Sequence, residues 1–310
     1  MSHRPPRPST FSIVARDPER DAVGIAVQSK FVSVGSVVPF ASADAGAIAT
    51  QSFANVAYGS DGVELLREGH TAGEVIEELT DADDRSPERQ VGVVGQDGSI
   101  AAFTGAECFE FAGDIQGKNY TVQGNILENS ETLEAMAETY ETADGGLPDR
   151  LIAALHAGNE AGGDARGEQG AALYVVKPEG GYDGGNDRWI DVRVDDHPHP
   201  IDELERVFRI YDVTLLEREP LDEFRSLDGE TAAGVTTALA DAGFLDSTGE
   251  GFGEAERAGL EEFRGANNFE NHAIDTVEDA LARGWADAEG TGETRLVNAV
   301  WHGFSGRERA

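Results

Sequence analysis

The order of strand and helix signals predicts an α+β fold in which two stacked sheets lie between two layers of helices, followed by a small all-α domain. Three features of the 310-residue chain point to it: strands arrive in adjacent pairs, helices arrive in pairs, and strand alternation disappears beyond about Glu219. Strands adjacent in sequence favour antiparallel sheets, and paired helices then cover those sheets from outside. Strict alternation of strand and helix would instead indicate a parallel sheet.

The first strand pair runs from Phe11 to Arg16 and from Val23 to Gln28, with Asp17-Pro18-Glu19-Arg20-Asp21 as the turn between them. A small-residue strand is expected from Ala45 to Gln51. Two helices follow, one capped near Ser60 with Val63 and Leu66 inward, the next capped by Thr71 with Val75, Ile76 and Leu79 inward. Val91 to Val94 and Ile100 to Thr104 flank Asp97-Gly98, a strong hairpin signal. Another strand pair is expected over Cys108 to Ala112 and Tyr120 to Asn125.

Leu133, Met136, Ala137 and Tyr140 recur at helical spacing, as do Leu147, Leu151, Ala154 and Leu155. After the glycine-rich stretch Gly158 to Gly170 come strands at Ala171 to Val176 and Trp189 to Val194, and a helix lined by Leu204, Val207, Phe208, Tyr211 and Leu215 closes the unit. Beyond it, Ala232 to Leu239, Ala255 to Phe263, Thr276 to Ala282 and Glu293 to Trp301 are helix-like. The expected organisation is a flexible extension over residues 1–9, a main domain over 10–218 and a helical domain over 219–310.

The formal net charge is −35, so nucleic acid is excluded as an expected partner: its phosphates would be repelled. Among the cations only Lys30, Lys118 and Lys177 are lysines. An acid excess with arginine in place of lysine reads as the surface of a protein from a salt-loving organism, where screening lets carboxylates crowd together. With 39% apolar residues there is ample material for a core. Cys108 is the one cysteine, so an internal disulfide is excluded. No secretion signal or membrane span is read from the sequence, and a cytoplasmic location, without membrane partners, is expected.

Few residues have the usual catalytic chemistry. Asp195-Asp196-His197-Pro198-His199 offers ligand types for a metal-dependent hydrolase, but the prolines hold the segment extended and turn neighbouring ligands apart. A polar loop that starts the helix from Ile201 is the better reading, and neither a metal nor a cofactor is expected.

The first hairpin carries more. If Arg16 faces Val23 or Gly24, Thr10 lies opposite Ser29 or Lys30, bringing a hydroxyl beside an ammonium. Asp17 lies about 23 Å from Thr10 along the strand and is excluded as a partner. Threonine at the head of a chain can be activated by its own α-amine, whose pKa of about 7.7 to 8 suits a general base. A neighbouring ammonium lowers that pKa further. Asn125 is a candidate oxyanion donor, and Gly124 a place for close backbone approach. Asp164 and Arg166, in Gly162-Gly163-Asp164-Ala165-Arg166-Gly167, either bind the charged ends of a substrate or pair to order their loop.

The segments Phe11 to Asp17, Val23 to Phe31, Ala49-Thr50-Gln51-Ser52-Phe53, Tyr120 to Asn125 and Ala161 to Gly167 resemble, in that order, the DUF1028 family over about residues 9 to 210. The resemblance implies the N-terminal-nucleophile (Ntn) hydrolase fold, a four-layer αββα sandwich, and a homo-oligomer. Family members typically begin with Met followed directly by the threonine of this strand, whereas here nine residues precede Thr10. Leu227-Asp228-Gly229-Glu230, Leu239 to Phe244 and Phe263 to His272 resemble the peptidoglycan-binding helical domain often fused to that family. Here it reads as an interaction or dimerisation module with Phe244, Phe252, Phe263, Phe269 and Trp285 in its core.

The sequence thus leads to an Ntn-type amidohydrolase acting on a small amide or amino-acid derivative, with Thr10 as nucleophile, its amine as base, Ser29 and Lys30 beside it, and Asn125, Gly124, Asp164 and Arg166 around the substrate. The alternative is a non-catalytic protein that binds a small ligand through the 162–167 loop.

Overall fold

A strand buried on both faces needs apolar residues throughout, and residues 11–15 and 22–27 supply them. In the computed structural model, which describes residues 10–109, 111–216, 224–246 and 251–283, they form β1 (Thr10–Asp17) and β2 (Ala22–Ser29). The two strands pair antiparallel, Arg16 opposite Val23 and Thr10 opposite Ser29. The register is one of the two that the turn allows.

β3 (Pro39–Ser42) and β4 (Gly46–Ser52) follow, then helices α1 (Ala57–Arg67) and α2 (Ala72–Asp81), then β5 (Arg89–Gly95) and β6 (Ile100–Thr104). β3 was not expected from the sequence; it is a four-residue edge strand opened by Pro39, and proline weakens any strand signal. α1 begins at Ala57, not at Ser60, because the Asn55 carboxamide accepts the Ala57 N–H at 3.2 Å. α2 starts as expected in a capping box of Thr71 and Glu74. Asp97 and Gly98 turn the β5–β6 hairpin, Gly98 donating to the Gly95 carbonyl at 3.0 Å.

β7 (Gly113–Gly117) and β8 (Tyr120–Asn125) come next, then α3 (Glu131–Thr142), α4 (Leu147–Glu160), β9 (Gly170–Val176), β10 (Arg188–Val194) and α5 (Pro200–Leu215). The strand expected over 108–112 is replaced by β7. That edge strand has Ile115 as its single large apolar residue, and it is fixed by a two-residue turn with Asn119 in the left-handed region at φ 65°.

Two antiparallel sheets result, of order β10-β9-β2-β1-β8-β7 and β3-β4-β5-β6. Their facing sides hold Val14, Val23, Ile25 and Val27 against Ala47, Ala49 and Val94. On the outer side of the smaller sheet, Ile48, Val91 and Val93 pack with Tyr58, Leu66, Val75 and Leu79 of α1 and α2. α3 and α4 cover the larger sheet, which completes four layers. Backbone contacts divide the chain into Met1–Arg206 and Val207–Ala310, a division that falls within α5.

In the second unit α6 (Gly229–Asp241), α7 (Glu254–Ala266) and α8 (Ile274–Arg283) surround Val235, Leu239, Leu260, Phe263, Phe269, Val277 and Leu281. Phe244 meets Phe263 edge to face at 5.7 Å, and Phe252 packs against the same core. The helix expected over 293–301, and Trp285, lie outside the described residues, as does the 1–9 extension. No helix among the described residues is long and apolar enough to cross a membrane.

Two polar features sit within this packing. Asp83 accepts from Arg89 Nε at 2.9 Å, Tyr58 at 3.1 Å, Asn55 at 3.3 Å and the Arg85 N–H at 2.9 Å, tying the end of α2 to the start of β5. The Arg89 guanidinium above all holds the Asp83 carboxyl well below its usual range, and burial together with Asp83 pushes the Tyr58 phenol up to about 12. Gln28 is fully buried in β2, and among the described residues its amide nitrogen and oxygen have no hydrogen-bond partner.

Arg89→Ala leaves the Asp83 carboxylate without its charge partner and is expected to cost about 3 kcal/mol in urea unfolding. A depressed folded-state pKa stabilises above the ordinary carboxylate range and loses its effect as pH falls through the folded value. The gap between wild type and Arg89→Ala is therefore expected to hold near neutral pH and to narrow below about pH 4. Gln28→Met, which removes an unsatisfied amide at similar volume, is expected to raise stability by about 1 kcal/mol in the same assay.

Candidate active site

Opposite residues on antiparallel strands share a face, so Thr10, Ser29 and Asn125 all point into the space between the sheets. Thr10 sits at the head of β1, a central strand, and is 4% exposed. Its hydroxyl donates to Ser29 Oγ at 3.1 Å. The expected pairing of hydroxyl with ammonium is thus a pairing of two hydroxyls.

Lys30, one residue further along, is exposed, and its Nζ donates to the Glu168 carbonyl at 2.7 Å. Its backbone N–H donates to Asp164 Oδ2, also at 2.7 Å. Lys30 therefore ties β2 to the 162–168 segment, and the geometry gives its ammonium no direct contact with the Thr10 hydroxyl.

Asp164 has a fully buried side chain. Besides Lys30 it accepts from Arg166, by N at 2.8 Å and Nε at 3.2 Å on Oδ1 and by Nη2 at 3.1 Å on Oδ2. The pair orders its own loop, one of the two readings the sequence allows. On the other side, Ala165 donates to the Ile126 carbonyl at 3.1 Å and Glu128 to the Gly163 carbonyl at 3.0 Å. The loop is therefore fastened to the ends of both β2 and β8, the two strands that flank β1. Gly163 makes this possible at φ 62°. Ile126 holds φ 51°, a costly conformation for a β-branched residue, and it directly follows Asn125.

Behind Thr10 lies a buried amide network that sequence reasoning missed. Ser12 donates to Gln51 Oε1 at 2.7 Å and accepts from Gln123 Nε2 at 2.6 Å. Gln51 Nε2 donates to Gln90 Oε1 at 2.8 Å, with longer contacts to the carbonyls of Gln123 at 3.3 Å and Thr10 at 3.4 Å. Asn125 Nδ2 donates to Gln90 Oε1 at 2.9 Å, so the nitrogen expected to serve an oxyanion is already engaged. Gln90 Nε2 donates to Gly124 O, Gly113 O and Thr104 Oγ1. These residues fall at the inward strand positions, and that parity was the available signal: a glutamine at an inward position of a buried strand needs a partner across the sheets.

Gly124 serves packing, since a Cβ there would lie 2.8 Å from Leu127, and its carbonyl is taken by Gln90. Gly92 makes room for the network, a Cβ there falling 2.2 Å from Gln123 Oε1. Cys108 lies near the same end, half-buried against the Arg89 carbonyl, where burial pushes its thiol up.

The metal-site alternative is not assembled. The His197 ring bonds back to His199, Asp196 accepts from Gln169 Nε2 at 3.1 Å, and among the described residues no group of three His, Cys, Asp or Glu is placed to hold an ion.

Comparison with known proteins follows the same division of the chain. Residues 214–301 match the family described as "Putative peptidoglycan binding domain". No curated protein matches. Among solved structures, a crystal structure of a DUF1028 protein from Silicibacter pomeroyi is similar, with 30% identity and a TM-score of 0.60 over 66% of this chain and 89% of that one. Residues 10–204 match the "Family of unknown function (DUF1028)", a match that begins at Thr10 itself, and the chain belongs to that family.

Proposed function

We propose that the protein is an amidohydrolase of the N-terminal-nucleophile type, acting on a small amide or amino-acid derivative through Thr10. The observation that carries this reading is the position of Thr10. It is the first residue of the family match, it heads a central strand, and its hydroxyl lies 3.1 Å from that of Ser29 in the space between the sheets. The four-layer arrangement of two antiparallel sheets between helix pairs agrees with an Ntn-like sandwich.

In this mechanism the Thr10 amine must be free, so the segment ending at Ser9 must be cleaved off or translation must begin later. The amine takes the hydroxyl proton as Oγ bonds to the substrate carbonyl carbon; the C–N bond then breaks and the proton passes to the departing nitrogen. Water, activated by the same amine, cleaves the resulting ester and restores the hydroxyl. Ser29 holds the nucleophile's hydroxyl in place. Lys30 acts through its backbone, which anchors Asp164 and with it the loop across the strand ends. No cofactor is required. A cytoplasmic location is part of the proposal, and the helical second unit is read as an interaction module.

Thr10→Ala is expected to lower hydrolysis of a panel of small amides, ureides and dipeptides by at least about a thousandfold, while Thr10→Ser retains measurable turnover. Equal rates in Thr10→Ala and wild type would overturn the proposal.

A further inference from the structure

Apolar side chains gather at one end of the two sheets, in a protein whose net charge is −35. Ser29 closes β2, Asn125 closes β8, and Gln51, next to last in β4, reaches Thr10 O with Nε2 at 3.4 Å, so three strand ends surround the head of β1. Phe31 and Val32 leave β2 there, Val56 follows β4, and Phe111 pairs through its N–H and carbonyl with Leu127, just beyond β8. All four are exposed, by 43% to 52%. Among the described residues of the first unit, the other exposed large apolar side chain is Tyr182, in the β9–β10 turn at the opposite end of the sheet. Exposed apolar residues scattered singly are ordinary, whereas a set around one group of strand ends marks a binding surface.

An aromatic pair joins this set. Phe53, the residue after β4, and Phe109 bring their ring centroids to 6.0 Å at a tilt of 59°. They approach from opposite sheets: Phe53 continues β4, while the Phe109 carbonyl accepts at 3.2 Å from the N–H of Ile126, the residue after Asn125. Rings that meet from opposite sheets lie in the gap between them, the gap into which Thr10 points, and both are half-buried. The backbone is bent on either side of the pair. Ser52 at φ 67°, directly before Phe53, and Ile126 at φ 51°, bonded to Phe109, are non-glycine residues in the left-handed region. Phe53 is also pinned, its carbonyl accepting from the Arg89 guanidinium and its N–H donating to the Glu88 carbonyl at 3.4 Å. Backbone strain persists where neighbours enforce it, and it gathers at ligand sites.

We propose that Phe53 and Phe109 form an apolar subsite for the acyl side chain of the substrate, so that the amide cleaved at Thr10 carries a flat apolar group on its carbonyl side, as a phenylalanine derivative does. The proposal rests on the Thr10 reading. The acyl carbon stays bonded to Thr10 Oγ while the amine departs, so the group on that carbon is the one held in the gap between the sheets. Two rings tilted in this way let a third flat group meet one face-on and the other edge-on, within the about 4.5–7 Å that aromatic pairs favour.

The test compares N-acetylphenylalanine 4-nitroanilide with N-acetylalanine 4-nitroanilide, which share the scissile bond and the leaving group, on protein whose Thr10 amine is free. In wild type, kcat/KM is expected to favour the phenylalanine compound about 10- to 200-fold. Phe53→Ala and Phe109→Ala, each first shown to melt cooperatively, are expected to cut that preference at least about tenfold, and Tyr182→Ala to keep it. Equal kcat/KM for the two compounds in wild type, or a preference that survives both ring deletions, would overturn the subsite and leave the nucleophile standing. Turnover at the wild-type rate and with the same preference in Thr10→Ala would overturn the nucleophile but not the apolar subsite. Hydrolysis of neither compound would overturn both.

Discussion

A side-chain amide buried between two sheets must find its partners there, and the register of β1 against β2 and β8 decides whether it does. With Thr10 opposite both Ser29 and Asn125, the inward positions of these strands bring Ser12, Gln123 and Asn125 toward Gln51 and Gln90 on the facing sheet. A shift of one residue would turn that set outward and put Phe11 and Ile13 between the sheets instead. The network therefore pins the register that it depends on. It also fixes where the head of β1 lies, and so where the Thr10 hydroxyl meets Ser29.

The loop after α4 adds a second constraint at the same place. It is fastened to β2 through Asp164 and Lys30, and to β8 through Ile126 and Glu128, so the strand ends on either side of Thr10 cannot separate without breaking these hydrogen bonds. The left-handed conformation of Ile126, just after Asn125, is backbone strain that these hydrogen bonds hold in place. Rigidity of this kind suits a site whose reacting atoms must be held to within fractions of an ångström. It also explains why the two charged residues most attractive in the sequence, Asp164 and Lys30, serve the frame first.

Much of the fold was legible because its signals are local. The Asp97-Gly98 turn, the Thr71–Glu74 capping box and the spacing of Leu133, Met136, Ala137 and Tyr140 each act within a few residues. β3 and β7 were missed for the opposite reason: a strand opened by proline and one bounded by glycines are held in their sheets by neighbours, not by their own composition. In the site, the register of Thr10 followed from the turn length, which is local. The roles of Gln51, Gln90 and Gln123 depend on bonds such as those to residues 72, 34 and 111 positions away in the chain, respectively, and no single strand announces them. The side-chain direction of Lys30 depended likewise on the Glu168 carbonyl, far along the chain.

The proposed chemistry turns on a free amine at Thr10. Intact-mass measurement of the protein fraction that hydrolyses a small amide tests it most directly. The mass expected is that of a chain beginning at Thr10; a fully active chain that still carries residues 1–9 would contradict the account.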